Sequence, residues 1–255
     1  MALIRLDILL QQQCALPSRE QAQALILSGS VWSGNQRLEK PGQKVQQDLP
    51  LEIRDRLPRF VSRAGEKLDA ALNLFEIPVN GRACLDVGAS TGGFTDCLLQ
   101  RGASRVVALD VGYGQLDYKL RKDPRVVVIE RFNARYLTAK TLEENDPSAG
   151  DIDFVCMDTS FISLTRLVEP VCRSVPRLKD LVVLFKPQFE VGREFVRKGG
   201  LVTDESAIKA KVAEFDAFML NLGLKLKNGP QKSPVPGKKS GNVELLIHYE
   251  RQKET

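Results

Sequence analysis

The chain has 255 residues, 43% hydrophobic and 27% charged, with a net charge of +5 at pH 7 and a single His. That length holds one α/β domain of ordinary size with a small companion, and the mild basicity suits a nucleic-acid partner as well as an ordinary solvated surface. No apolar run reaches bilayer-crossing length, and Met1 leads into an amphipathic pattern holding Arg5 and Asp7, which excludes a membrane span and reads as no signal peptide. Five cysteines (Cys14, Cys84, Cys97, Cys156 and Cys172) form no C-x-x-C pair and read as reduced residues of a cytoplasmic protein. With one His, His248, in a strand-like apolar run, they argue against a zinc site.

Leu3, Ile4, Leu6, Leu9 and Leu10 recur at helical spacing. A second helix starts after Pro17, with Ser18 as N-cap, Ala22, Leu25, Ile26 and Leu27 on its apolar side, and Gly29 as its stop. Residues 31–38 read as strand, turn and strand, Pro41-Gly42 as another turn, and 49–53 as a last short strand. These residues make a thin core, and the reading is a small α+β domain over 1–56. A basic linker, 57–63, leads to a second domain, 64–255, which opens with a helix to about Phe75. Strands follow at 84–87, 105–109, 125–130, 152–157 and 181–186, rich in Val, Ile and Leu as strands buried on both faces are. Helices are expected at 95–101 and 204–222. The final strands, 224–227 and 242–250, have no helix between them and read as an antiparallel edge hairpin. The fold class is α/β: a Rossmann-like, mostly parallel seven-stranded sheet.

The stretch Cys84-Leu85-Asp86-Val87-Gly88-Ala89-Ser90-Thr91-Gly92-Gly93-Phe94 is a strand that breaks into a glycine turn and opens a helix. Such a turn brings backbone N–H groups close to a ligand. Asp110 ends the next strand, where an acid can accept hydrogen bonds from ribose hydroxyls. The spacing is not G-x-G-x-x-G, there is no Gly-Lys-Ser/Thr ending, and no Lys or Arg lies from Asp86 to Phe94. The loop therefore suits a cofactor without phosphates, such as S-adenosylmethionine, with dinucleotide binding and a plain structural turn as alternatives. Cofactor candidates are Asp86 near the cationic methionine end, Gly88, Ala89, Ser90, Gly93 and Phe94 in the loop, Asp110 and Val111, and Asn133 toward the adenine.

Ligands of open α/β sheets sit at the carboxyl ends of strands. Asp158 and Lys186 stand at two such ends, Glu244 lies in the last strand, and Lys67 can fold back from its helix. Charge at the end of an apolar strand is expensive unless paired, so a structural ion pair explains Lys186 and Glu244 as readily as chemistry does.

The chain resembles the TlyA (haemolysin A) RNA methyltransferases, an S4-like RNA-binding domain joined to an FtsJ-like methyltransferase domain. The resemblance rests on Arg5-Leu6-Asp7, Ser18-Arg19-Glu20-Gln21-Ala22 and Lys40-Pro41-Gly42 in the small domain. In the large one it rests on Val61-Ser62-Arg63-Ala64-Gly65-Glu66-Lys67-Leu68, the glycine loop, Asp110-Val111-Gly112-Tyr113-Gly114-Gln115-Leu116, Ser160-Phe161-Ile162-Ser163-Leu164 and Lys186-Pro187-Gln188-Phe189-Glu190. Ala64, where a second glycine is usual, and Thr159, where Val is common, depart from the pattern. It implies S-adenosylmethionine-dependent 2′-O-methylation of a ribose, a cytidine, in ribosomal RNA or ribosomal subunits. It also implies a catalytic tetrad of Lys67, Asp158, Lys186 and Glu244, with Lys186 the candidate base. A lysine base must lose its own proton, which a neighbouring cation and partial burial favour and carboxylates oppose; Asp158 and Glu244 then orient the lysines and the hydroxyl. RNA candidates are Arg5, Arg19, Lys40, Arg63, Arg135 and Arg193, with Lys238 and Lys239 in a basic loop, 225–242. No metal and no membrane contact are expected; the oligomeric state is open, a monomer being compatible. Rival readings are a non-catalytic RNA-binding or assembly protein and a pore-forming haemolysin, for which no strongly cationic amphipathic helix is present. Methylation of a base nitrogen commonly uses an Asn/Asp-Pro-Pro-aromatic element, where this chain has Asp158-Thr159-Ser160-Phe161.

Overall fold

The computed structural model describes residues 3–54, 59–235 and 241–252, and its contacts divide the chain into two compact units, Met1–Arg59 and Phe60–Thr255. The first opens with a strand where a helix was expected. Leu3–Arg5 (β1) pairs antiparallel with Lys44–Gln46 (β4), and α1 begins only at Leu6 (Leu6–Gln13). The reason lies in the partners: Leu6 N and Asp7 N donate to Gln43 O and Pro41 O, so the 41–46 segment holds the backbone extended before the helix can start. Helix α2 (Arg19–Leu27) is capped by Ser18, whose hydroxyl accepts from Gln21 N, and ends in Gly29 at φ +76°. Strands β2 (Val31–Ser33), β3 (Gln36–Arg37) and β5 (Glu52–Ile53) form a three-stranded sheet in the order β3-β2-β5. Leu6, Leu10, Ala22, Leu25, Ile26, Val31 and Leu38 fill the small core.

In the second unit, α3 (Ala64–Leu74) precedes five parallel strands: β6 (Ala83–Val87), β7 (Arg105–Leu109), β8 (Val126–Ile129), β9 (Ile152–Met157) and β10 (Asp180–Phe185). Helices α4 (Gly93–Gln100), α5 (Tyr118–Lys122), α6 (Ala139–Asn145), α7 (Thr165–Ser174), α8 (Pro187–Glu190) and α9 (Glu205–Asn221) occupy the connections. Strands β11 (Leu224–Lys232) and β12 (Leu245–Arg251) add an antiparallel hairpin, giving the order β11-β12-β10-β9-β6-β7-β8. Alternate residues feed two cores. Leu85, Val107, Val155 and Val183 face one side with α7 and α9, while Cys84, Val106, Cys156 and Val182 face the other with α3 and α4. This two-sided burial is why the strands read as unbroken apolar runs. The chain reverses direction across the sheet between β6 and β9, so a crevice opens at their carboxyl ends.

The opposite end of the sheet is held by ions. Arg82 bonds Asp153 and Asp180, and buried His248 sits 2.9 Å from Asp180 and stacks on Phe75, a structural role. Cys84, Cys97, Cys156 and Cys172 are buried free thiols; burial pushes Cys84 up to about 12. The basic segment expected to be a loop over 225–242 is strand as far as Lys232, and Lys227 pairs with Glu250. Lys238 and Lys239 lie outside the described residues.

Candidate active site

Gly88 sits at φ +89°, and a Cβ there would come within 2.7 Å of the carbonyl oxygen of Asp158. The turns after β6 and β9 thus meet backbone to backbone, reinforced by Asp158 N donating to Val87 O. Ser90 N donates to one carboxylate oxygen of Asp110 (2.8 Å) and Gly112 N to the other (2.6 Å), which fixes the acid at the end of β7. Each oxygen keeps a further lone pair for a ligand.

Two adjoining cavities, of about 550 and 460 Å³, open here and share Gly88, Ser90, Asp158, Ser160 and Phe161. The smaller is walled by apolar Leu109, Val111, Phe132, Ile162 and Leu167, with Asp110, Gln115, Asn133 and Thr159 added to the shared polar groups. An apolar slot beside a carboxylate fits a nucleoside: the base between side chains, the ribose hydroxyls on Asp110. Ala89 and Phe94 line the larger cavity, Val111 and Asn133 the smaller.

Two cofactor candidates lie elsewhere. Asp86 is fully buried, lines neither cavity, and accepts a hydrogen bond from Thr95 Oγ1 at 2.7 Å. Gly93 is buried, and a Cβ there would meet Ser62 Oγ, Gly65 N (2.8 Å) and Ala64 Cβ. Its glycine permits the start of α4 to pack closely on the start of α3, which is what the Ser62-Arg63-Ala64-Gly65 motif serves from the other side.

All four charged candidates line the larger cavity: Lys67 from α3, Asp158 after β9, Lys186 after β10 and Glu244 just before β12. No side chain among them is more than 15% exposed. They pair two by two. Lys67 Nζ donates to Glu244 Oε2, and Lys186 Nζ lies 2.6 Å from Asp158 Oδ1 and donates to Ser160 Oγ at 2.9 Å. Buried Glu190 accepts from Ser163 Oγ (2.7 Å) and Leu164 N (2.8 Å), and Phe189 contacts Phe161, so α8 is clamped to the loop after β9. Ser160, Phe161, Gln188 and Phe189 stand in two of the motifs that carry the family resemblance, yet none bears a charge that marks it as a site residue.

The RNA candidates differ in their commitments. Arg5 and Arg19 both donate to the buried carboxylate of Asp7 and remain partly exposed. Lys40 and Arg193 are exposed; Arg63 is exposed at the rim of the larger cavity; Arg135 lies over the Tyr136 ring at 5.7 Å. Among the described residues no three His, Cys, Asp or Glu gather as a metal site, and no helix is long and apolar enough to cross a membrane.

Comparison with known proteins gives matches over both units. A family model described as FtsJ-like methyltransferase matches residues 60–251, and one described as S4 domain matches 4–49. The chain is 43% identical over 249 residues to the 16S/23S rRNA (cytidine-2′-O)-methyltransferase TlyA of Mycobacterium tuberculosis, spanning 97% of this chain and 90% of that one. A solved structure named "Putative hemolysin from Streptococcus thermophilus" is 37% identical, with a TM-score of 0.72 over 98% of this chain and 89% of that one. An S-adenosylmethionine-dependent methyltransferase from Mesorhizobium loti, 13% identical with a TM-score of 0.51 over 72% of this chain and 98% of that one, shares the fold. The chain therefore belongs to the FtsJ-like methyltransferases, S-adenosylmethionine-dependent enzymes, among the TlyA (hemolysin A) members that carry an N-terminal S4 domain.

Proposed function

We propose that this chain methylates a ribose 2′-hydroxyl, that of a cytidine as in the named activity of its relatives, in ribosomal RNA or ribosomal subunits in the cytoplasm. The observation that carries the reading is the convergence of Lys67, Asp158, Lys186 and Glu244, ion-paired two by two, on a cavity that adjoins a second, largely apolar cavity holding Asp110. When bound, S-adenosylmethionine supplies a methyl group already activated on a sulfonium. The chain's own task is then to place a poor nucleophile in line and remove its proton. Lys186, once it has released its own proton to solvent, takes that of the hydroxyl; Asp158 and Ser160 fix where its nitrogen stands. The Lys67–Glu244 pair on the same wall orients the hydroxyl. In the small unit Arg5, Arg19 and Lys40, and in the large one Arg63, Arg135 and Arg193, contact phosphates, with residues 57–63 linking the domains 1–56 and 64–255.

The test is transfer of label from S-adenosylmethionine to ribosomal subunits and naked ribosomal RNA, followed by nucleoside analysis. A 2′-O-methylated nucleoside that disappears in Lys186→Ala, with cofactor affinity kept, is expected. Turnover retained by Lys186→Ala removes it as the base, and label on a base nitrogen removes the ribose reading.

A further inference from the structure

The larger cavity is lined by an amide whose carbonyl oxygen has no hydrogen-bond partner among the described residues. Gln188 lies on α8, two residues beyond Lys186, and lines the cavity together with Lys186, Glu244 and Phe161. Its side-chain carbonyl oxygen is buried with no hydrogen-bond partner among the described residues. Folded proteins rarely leave such an oxygen unpaired, because it has given up water for nothing. Gln188 lines the cavity wall, so a turn of its side chain presents that oxygen to a bound ligand, which then supplies the missing donor.

The residues around Gln188 are all engaged. Lys186 holds Asp158 and Ser160, Glu190 holds Ser163 and Leu164, and the ring of Phe189 lies 5.3 Å from that of Phe161. These links fasten α8 to the loop after β9 on both sides of Gln188, so the amide is offered from a fixed backbone. Phe161 is 91% exposed and sits at φ +66°, in the left-handed region that bulky residues rarely adopt. An aromatic face presented in this way at a catalytic cavity is the kind on which an unstacked RNA base rests while its edge is read by hydrogen bonds.

We propose that Gln188 is a specificity-determining residue that reads the acceptor base: its carbonyl oxygen accepts a hydrogen bond from the exocyclic amine of a base stacked on Phe161. Cytosine offers that amine, whereas uracil presents a carbonyl at the same position, so the site favours the amino-bearing pyrimidine. The inference rests on the ribose-methylation reading above.

The test uses the full chain, the RNA whose methylated position the wild-type reaction identifies, and the same RNA with uridine at that position. Gln188→Leu is expected to lower kcat/KM on the native RNA by about 10- to 100-fold while changing the uridine RNA little. The preference of the wild type thus collapses, and affinity for S-adenosylhomocysteine stays within about twofold, inside the spread of surface effects. Gln188→Asn keeps an amide on a shorter arm and is expected to retain part of the preference; it decides by the same ratio if the Leu variant does not fold. A preference that survives the substitution overturns the assignment, whether or not activity falls, and so does a wild-type product that is 2′-O-methyluridine. Methylation of a base atom by the wild-type chain sinks the ribose reading and this inference together.

Discussion

Burial holds the Asp86 carboxyl up to about 7, against the hydrogen bond from Thr95, with the negative charges of Asp158 and Asp110 pushing the same way. A carboxyl raised on folding binds more protons in the folded than in the unfolded chain. Its stabilising contribution is therefore complete below the ordinary aspartate range near 4 and lost as pH rises through about 7. Asp86→Asn, which keeps an acceptor for Thr95, is expected to gain on the wild type by up to about 3 kcal/mol between pH 5 and pH 8. Thermal unfolding of both proteins across that range checks it; melting curves that shift in parallel would falsify the burial account. The same residue marks the limit of what single residues disclose in sequence. Asp158, Lys186 and Glu244 stand out because charge flanking apolar strands demands an explanation, and Lys67 through the family resemblance. Asp86 and Gly93 stand out equally, yet one is enclosed beside Thr95 and the other relieves a helix crossing. Gln188 carries no charge, so nothing in the sequence distinguishes a buried amide from a solvated one.

The small unit shows how one side chain arranges several elements. Asp7, fully buried at the start of α1, accepts from Arg5 on β1, from Arg19 and Gln23 on α2, and from its neighbour Ile8 N. These bonds, the one from Arg5 foremost, hold its carboxyl well below the usual carboxylate range. The contribution of a lowered carboxyl is present above the unfolded value and lost as pH falls. Asp7→Asn is expected to destabilise this unit by about 2 kcal/mol near pH 7, the scale of hydrogen bonds to a charged group. Hydrogen exchange reads the effect: protection is expected to fall across α1 and α2 and to stay in the parallel sheet. Unchanged protection in α1 and α2 would show that the apolar core alone sets the geometry. The β strands of the large unit were legible because two apolar layers leave no polar face to interrupt them. Strand β1 was not, and β11 was legible only as far as Lys227, as the first part of the edge hairpin. Leu3–Arg5 shares its apolar residues with the helix that follows, and β11, rich in Lys with Gly229-Pro230 inside, is an edge strand paired on one side only.

Across the whole molecule, charge alone does not say which unit meets RNA. The residues before Phe60 hold two of the five net positive charges. What separates the units is chemistry: the two adjoining cavities and all four candidate catalytic charges lie after Phe60, whereas the S4 match lies wholly before it. A chain lacking Met1–Arg59 is therefore expected to bind S-adenosylhomocysteine with unchanged affinity and to bind ribosomal RNA more weakly. The salt dependence carries the sharper version. Each phosphate neutralised on single-stranded RNA contributes about 0.7 to the slope of log affinity against log salt. If Arg5, Arg19 and Lys40 each meet a phosphate, the truncated chain loses about 2 from that slope. Filter binding over a range of salt concentrations measures both quantities together. Equal affinity with an equal slope would transfer RNA recognition to the methyltransferase unit, through Arg63, Arg135 and Arg193. Weaker binding with an unchanged slope would mean that the small unit contributes through contacts other than phosphate.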